Sequence, residues 1–162
     1  MSYVDKNLLQ GEAVVYRAKL HKIIFLPAVA IAVLGVLAAV LIVIFAGNQL
    51  AAIITGAVLI MLAIVVAMPR FIRYATSEFA VTNKRVIVKV GLIHRHTLEL
   101  VLAKIETVGV DQSVPGRMFN YGTIIVTGTG GTQEPFKDIA DPIAFRKQVQ
   151  FELSSGSAPA EK

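Results

Sequence analysis

The sequence predicts a two-helix transmembrane hairpin followed by a mainly-β domain of about seven antiparallel strands, closed by a C-terminal α-helix. Three observations predict it. From Ile23 to Pro69 there is no Asp, Glu, Lys, Arg or His, although the chain carries 16 Lys/Arg, 11 Asp/Glu and three His elsewhere. From Ser77 onward the pattern changes to β-branched runs at hairpin spacing, cut by turn residues such as Asn83-Lys84 and Gly128-Thr129-Gly130-Gly131. After Asp141-Pro142, apolar residues recur every four positions at Phe145, Val149 and Leu153.

Met1 to Lys22 is mostly polar. Within it, Leu8 to Leu20 carries Ala13-Val14-Val15-Tyr16 and then rough alternation, so a short strand is expected. The competing reading is an interfacial amphipathic helix, because Tyr16, Arg17, Lys19 and Lys22 are the residue types that anchor at headgroups.

As one helix, the charge-free stretch would be roughly 70 Å long at about 1.5 Å per residue, whereas a bilayer core is about 30 Å thick. It must cross twice. Gly47-Asn48-Gln49 is the natural external turn, leaving Ile23 to Ala46 and Leu50 to Pro69 as the spans. Lys19, Lys22, Arg70 and Arg73 flank the outer ends and the turn is uncharged, so the positive-inside rule places both termini in the cytoplasm. The polar segment ahead of the first span argues that the span is retained and is not a cleaved secretion signal.

Two membrane helices meet through close packing, so small residues should mark their seam. Ala28 and Ala32, Gly35 and Ala39, Ala52 and Gly56, and Ala63 and Ala67 each fall four apart. Packing within the hairpin is the simpler use of these faces, and dimerisation is the other. With no ionisable group at membrane depth, the spans are not expected to conduct ions or protons.

Arg70 to Leu153 forms the β-domain. Strands are expected at Ser77 to Thr82, Arg85 to Val90, Thr97 to Leu102, Thr107 to Gln112, Tyr121 to Thr127 and Gln133 to Ile139, with Val114-Pro115-Gly116 as a turn. This cadence suggests a meander curling into a partly open sandwich or barrel. Asp141 as N-cap and Pro142 at the first position start a helix to Leu153, whose apolar stripe should cover an open end of the β-structure. Ser154 to Lys162 reads as a frayed tail.

The net charge of +5 is dispersed and argues against nucleic acid as a partner. There is no cysteine, which excludes disulfides and thiolate metal sites. Gly128-Thr129-Gly130-Gly131 lacks the following Lys-Ser/Thr of a phosphate loop and reads as a turn. His94 and His96 share a strand face, but no third metal ligand is evident, and they read as turn histidines. His21, beside Lys22, reads as an interfacial residue. No nucleophile with a positioned base is recognisable, so no enzymatic activity, cofactor or metal is expected. Arg117, with Gly116 before it and Met118-Phe119 after it, forms a candidate partner-contact tip, because exposed Arg and aromatic residues anchor interfaces. Arg85 and Lys89, four apart on a strand, share a face that Lys84 extends into a modest basic patch.

Two membrane helices, then a small β-domain with a C-terminal helix, resembles the bacterial pleckstrin-homology (PH) family of membrane-anchored proteins, the YdbS-like type. Phe79-Ala80-Val81-Thr82-Asn83-Lys84-Arg85-Val86-Ile87 looks like the family's signature hairpin. Gly91 with Ile93, the Ile105 to Gln112 strand, Gly116-Arg117, Tyr121-Gly122-Thr123-Ile124, and Phe136 with Ile139-Ala140-Asp141-Pro142 and Phe145 follow in the family's order. The resemblance covers roughly Leu8 to Leu153 and implies a PH-like domain at the inner membrane of a bacterium. Such folds serve as lipid readers and as docking or assembly modules. Eukaryotic relatives that bind phosphoinositides carry denser Lys and Arg in the first hairpin than Lys84, Arg85 and Lys89 provide.

The expected function is therefore a non-enzymatic scaffold or adaptor that presents a protein-interaction or self-assembly module at the cytoplasmic face. Its partners would be the lipid bilayer and either another protein or further copies of itself. One alternative is an anionic-lipid reader using Arg70, Arg73, Lys84, Arg85 and Lys89, each near-surface charge giving about 1 kcal/mol. Another is an accessory subunit of a membrane transporter or respiratory complex.

Overall fold

A computed structural model of the chain describes residues 3–91 and 96–156. It forms two compact units: one is Lys22–Ala75, and the other joins the residues up to His21 with those from Thr76 on.

The first unit is helical. A short 3-10 turn, Lys22–Phe25, leads into a 21-residue helix, Leu26–Ala46, and a 28-residue helix, Gln49–Thr76, follows. Both are long and apolar enough to cross a membrane. Gly47 ends the first helix in the left-handed conformation, and its N–H bonds back to the Val43 carbonyl. The second helix begins at Gln49, where the Asn48 side chain accepts the Ala51 N–H. The most buried residues of the pair are Ala28, Gly35, Ala52 and Ala63, all among the small residues expected at the seam. A Cβ on Gly35 would lie 2.7 Å from the Leu59 Cβ, so only glycine permits this approach.

The second helix does not stop at Pro69 but continues through it to Thr76. Proline removes one backbone donor, and the Arg70 guanidinium donates to the nearby Val66 carbonyl at 2.6 Å.

The second unit holds seven strands, numbered in chain order. A one-turn helix α1 (Tyr3–Lys6) precedes β1 (Val14–Ala18). Beyond the two apolar helices come β2 (Glu78–Thr82), β3 (Arg85–Val90), β4 (His96–Val101), β5 (Ile105–Asp111), β6 (Tyr121–Gly128) and β7 (Gln133–Ala140). Between β5 and β6, Val114–Met118 makes one helical turn, α2, where the sequence suggested a plain turn. The final helix, α3, runs Pro142–Gly156, past the end expected at Leu153 and into the residues read as a frayed tail. The Leu8 to Leu20 segment supplies a strand, so the interfacial-helix reading is set aside: β1 pairs antiparallel with β2 and leaves its backbone no helical bonding.

Two antiparallel sheets result, ordered β1-β2-β3-β4 and β5-β6-β7. One corner is joined where the chain after β1 bonds to β7, through the Leu20–Ile139 bridge and the Ala140 N–H to the Lys19 carbonyl. Phe79, Val81, Val86 and Val88 of the first sheet and Ile124, Val126, Phe136 and Ile139 of the second are all buried. Phe79 and Phe136 meet edge to face at 6.0 Å. The expected stripe of α3 supplies Phe145 and Val149, both fully buried, with Tyr16 edge-on to Phe145. Asp141 caps that helix through the Ala144 N–H, as its Asp-Pro start suggested.

Candidate functional site

Two features of the β-unit carry chemistry: the outer face of the β2–β3 hairpin and the tip between β5 and β6.

Alternation along β2 and β3 sends Phe79, Val81, Val86 and Val88 inward, and sends Glu78, Ala80, Thr82, Arg85, Ile87 and Lys89 to the opposite face. That outer face is not bare. Residues 3–13 lie over it as an arm, with Val4 buried against Ala80 and Ile87, and Tyr3, Leu8 and Val14 around them. Glu78 accepts the Tyr3 and Val4 N–H groups at 2.9 and 3.1 Å. The Lys89 ammonium sits 5.1 Å from the Tyr3 ring centre, a cation–π contact. At the hairpin turn, Asn83 accepts from the Ala13 N–H and donates to the Gly11 carbonyl, and the Lys84 ammonium donates to the Gln10 carbonyl.

The strongest anchor is Glu12, whose side chain has no exposed surface. Its carboxylate accepts from Arg85 Nε at 2.9 Å, Arg85 Nη2 at 3.0 Å and the Leu9 N–H at 2.7 Å, with the Thr82 hydroxyl 2.7 Å away. Burial alone would raise its pKa, but the Arg85 guanidinium, the Leu9 amide and the Thr82 hydroxyl outweigh it and hold the carboxyl at about 2. Arg85 also donates to Glu99 and to the Asn7 carbonyl, and its own pKa is raised, chiefly by the hydrogen bond to Glu12.

The basic residues named from the sequence are thus divided. Arg85 and Lys89 share a strand face as expected, but the face is occupied and Arg85 is matched by two carboxylates. Lys84 is exposed at the turn, while Arg70 and Arg73 belong to the helical unit. The missed residues are those of the arm, above all Glu12. The unbroken apolar runs Phe79-Ala80-Val81 and Val86-Ile87-Val88 were the available signal, since a half-solvated strand alternates.

At the β5–β6 tip, Arg117, Met118 and Phe119 are held outward. Ser113 caps the helical turn by accepting the Gly116 N–H at 3.3 Å, and Gln112 donates to the Tyr121 carbonyl at 3.0 Å. Gly116 is buried, and a Cβ there would lie 2.7 Å from the Tyr121 carbonyl oxygen. Val114, Met118 and Phe119 remain 73%, 76% and 57% exposed, and Arg117 is exposed beside them. Large apolar side chains are thus held in water on a braced turn.

His94 lies outside the described residues; His96 is 3.8 Å from Glu134. Among the described residues no group of three or more His, Cys, Asp or Glu is placed to hold a metal.

Residues 21–152 match the model of the bacterial PH domain family. No curated protein and no solved structure matches the chain. With two sheets, a closing helix and a family match over most of its length, the chain belongs to the bacterial PH domain family.

Proposed function

We propose that the protein is a non-enzymatic, membrane-anchored scaffold whose PH-like domain presents the Val114–Phe119 tip to a protein partner at the cytoplasmic face of a bacterial inner membrane. The observation that carries this reading is the exposure of Met118 and Phe119 on a turn braced by Ser113 and Gly116. Hot-spot residues of interfaces are of these kinds, with Arg117 supplying a polar anchor beside them.

The β1–β2 pairing supports the topology. These strands flank the two apolar helices in sequence, so both flanks must lie on one side of any membrane the helices cross. An even number of crossings satisfies that, and the uncharged Gly47-Asn48 link suits the far side.

The anionic-lipid reading has less to draw on, because Arg85 already bonds Glu12 and Glu99. A photo-crosslinker placed at Met118 of the full chain in native membranes separates the two. The expected result is a discrete protein adduct that is lost with Arg117→Glu and is absent from a control probe at Lys104. Lipid adducts alone would favour the lipid reader, and equal labelling from both positions would refute a specific tip. The experiment needs the full chain, because a fragment starting after the helices would lack β1 and the arm.

A further inference from the structure

Residues 3–13 are held the way a protein holds a bound peptide. No strand ladder fastens them up to residue 12, and at Ala13 the carbonyl accepts the Asn83 N–H. Side chains of β2, β3 and their turn instead grip the arm's main chain: Glu78 takes two of its N–H groups, and Lys84 and Arg85 donate to two of its carbonyls. Specificity comes from two anchors eight residues apart. Val4, only 1% exposed, fills the apolar spot between Ala80 and Ile87, and Glu12 fills the polar pocket of Arg85 and Thr82. Between the anchors, Asp5, Lys6, Asn7, Leu9 and Gln10 remain exposed. The Asn7 and Gln10 carbonyls between the anchors are held by Arg85 and Lys84, and Asp5 pairs with Arg17, but a segment gripped by side chains, without a ladder of main-chain bonds, opens at lower free energy than the sheet beneath it.

We propose that the outer face of the β2–β3 hairpin is a binding site for an acidic peptide segment. The chain's own residues 3–13 fill it in cis, and a segment of another protein with the same spacing of small apolar anchor and carboxylate can take it in trans. Charge complementarity defines the anchor: the pocket presents the Arg85 guanidinium, which Glu99 shares, the Thr82 hydroxyl and one apolar spot, and these accept a carboxylate eight residues after a Val-sized residue, while Glu78 takes main-chain N–H groups. The site is separate from the β5–β6 tip, so it stands or falls independently of the scaffold reading.

The test uses full-length protein in nanodiscs, intact and with residues 3–13 deleted, and a fluorescent acetylated peptide of residues 3–13. The expected result is saturable binding to the deleted chain, weaker by about tenfold or more when the peptide carries Glu12→Gln or the protein carries Arg85→Met. Binding to the intact chain should also be at least about tenfold weaker, because the arm competes. No saturable binding to a folded deleted chain overturns the proposal, as does binding indifferent to Glu12.

If the deleted chain does not fold, hydrogen exchange on the intact protein decides. The Leu9 and Ala13 amides should exchange at least about a hundredfold faster than those of Ile87 and Val88. Equal protection would mean that the arm leaves only when the domain unfolds, and would overturn the proposal.

Discussion

Replacing Glu12 with alanine should destabilise the β-unit by about 3 kcal/mol, a figure reached by two routes. Its carboxyl titrates at about 2 in the folded chain against an ordinary 4.5, and each pKa unit is worth about 1.4 kcal/mol. Removing one member of a buried ion pair costs about 3–5 kcal/mol, and here the lower end applies because Arg85 keeps Glu99 and the Asn7 carbonyl. The sign follows from the depressed pKa: the contribution is complete above about pH 4.5 and is lost as pH falls toward 2. Glu12→Gln, which cannot titrate, should therefore lose less stability than the parent between those pH values. Pulse proteolysis over a urea series, on the full chain in nanodiscs, reads the change as a midpoint lowered by about 1–3 M. In a double-mutant cycle, Glu12→Ala with Arg85→Ala should cost clearly less than the two single changes added. A loss under about 1 kcal/mol for Glu12→Ala, or additivity in the cycle, would refute the assignment of Glu12 and Arg85 as a coupled anchor.

Three further changes test other parts of the fold. Gly35→Val places a Cβ 2.7 Å from that of Leu59 and should push the two apolar helices apart; disulfide formation between Ala39→Cys and Gly56→Cys, efficient in the parent, should then fall. Gly116→Ala meets the Tyr121 carbonyl at 2.7 Å and should cost about 1–3 kcal/mol, seen as a lowered urea midpoint and earlier cleavage at the β5–β6 tip. Phe145→Ala removes a fully buried ring from α3 and should cost about 3–5 kcal/mol in the same assay.

What the sequence showed plainly was whatever depends on near neighbours. A charge-free stretch marks two long apolar helices, β-branched runs between turn residues mark strands, and a four-residue recurrence marks the inner face of the last helix. Asp141 and Pro142 mark where that helix begins, and the small residues of the two spans mark their seam. Less legible was anything joined across sequence. Glu12 and Arg85 are 73 residues apart, and no periodicity links them. Arg85 and Lys89 could be assigned to one strand face by counting, but nothing local says that an arm covers that face. The charge-free stretch ends at Pro69, but the helix that contains it does not. It runs on through Pro69 to Thr76, with Arg70 bonded to the Val66 carbonyl, and charge counting carries no information on that extension. The tip was half legible: its residues were named, but their outward fixation depends on Ser113, Gln112 and the buried Gly116.

The signature hairpin of β2 and β3 is completed from the other side of the charge-free stretch, by β1 on its edge and by the arm on its outer face. Local turns can form the hairpin early, but its outer face keeps Ala80 and Ile87 uncovered until residues from before the helices return to it. On the proposed topology that return is open only when both helices have crossed. A chain with one helix inserted would strand β1 and Glu12 on the wrong side, leaving the Arg85 pocket without its carboxylate and the edge of β2 unpaired. Such an edge invites pairing with other chains, and the buried guanidinium loses its main partner. On that proposed topology the same contacts that finish the domain would penalise an incorrectly inserted chain, which would give the division of one small domain around two long apolar helices a physical use.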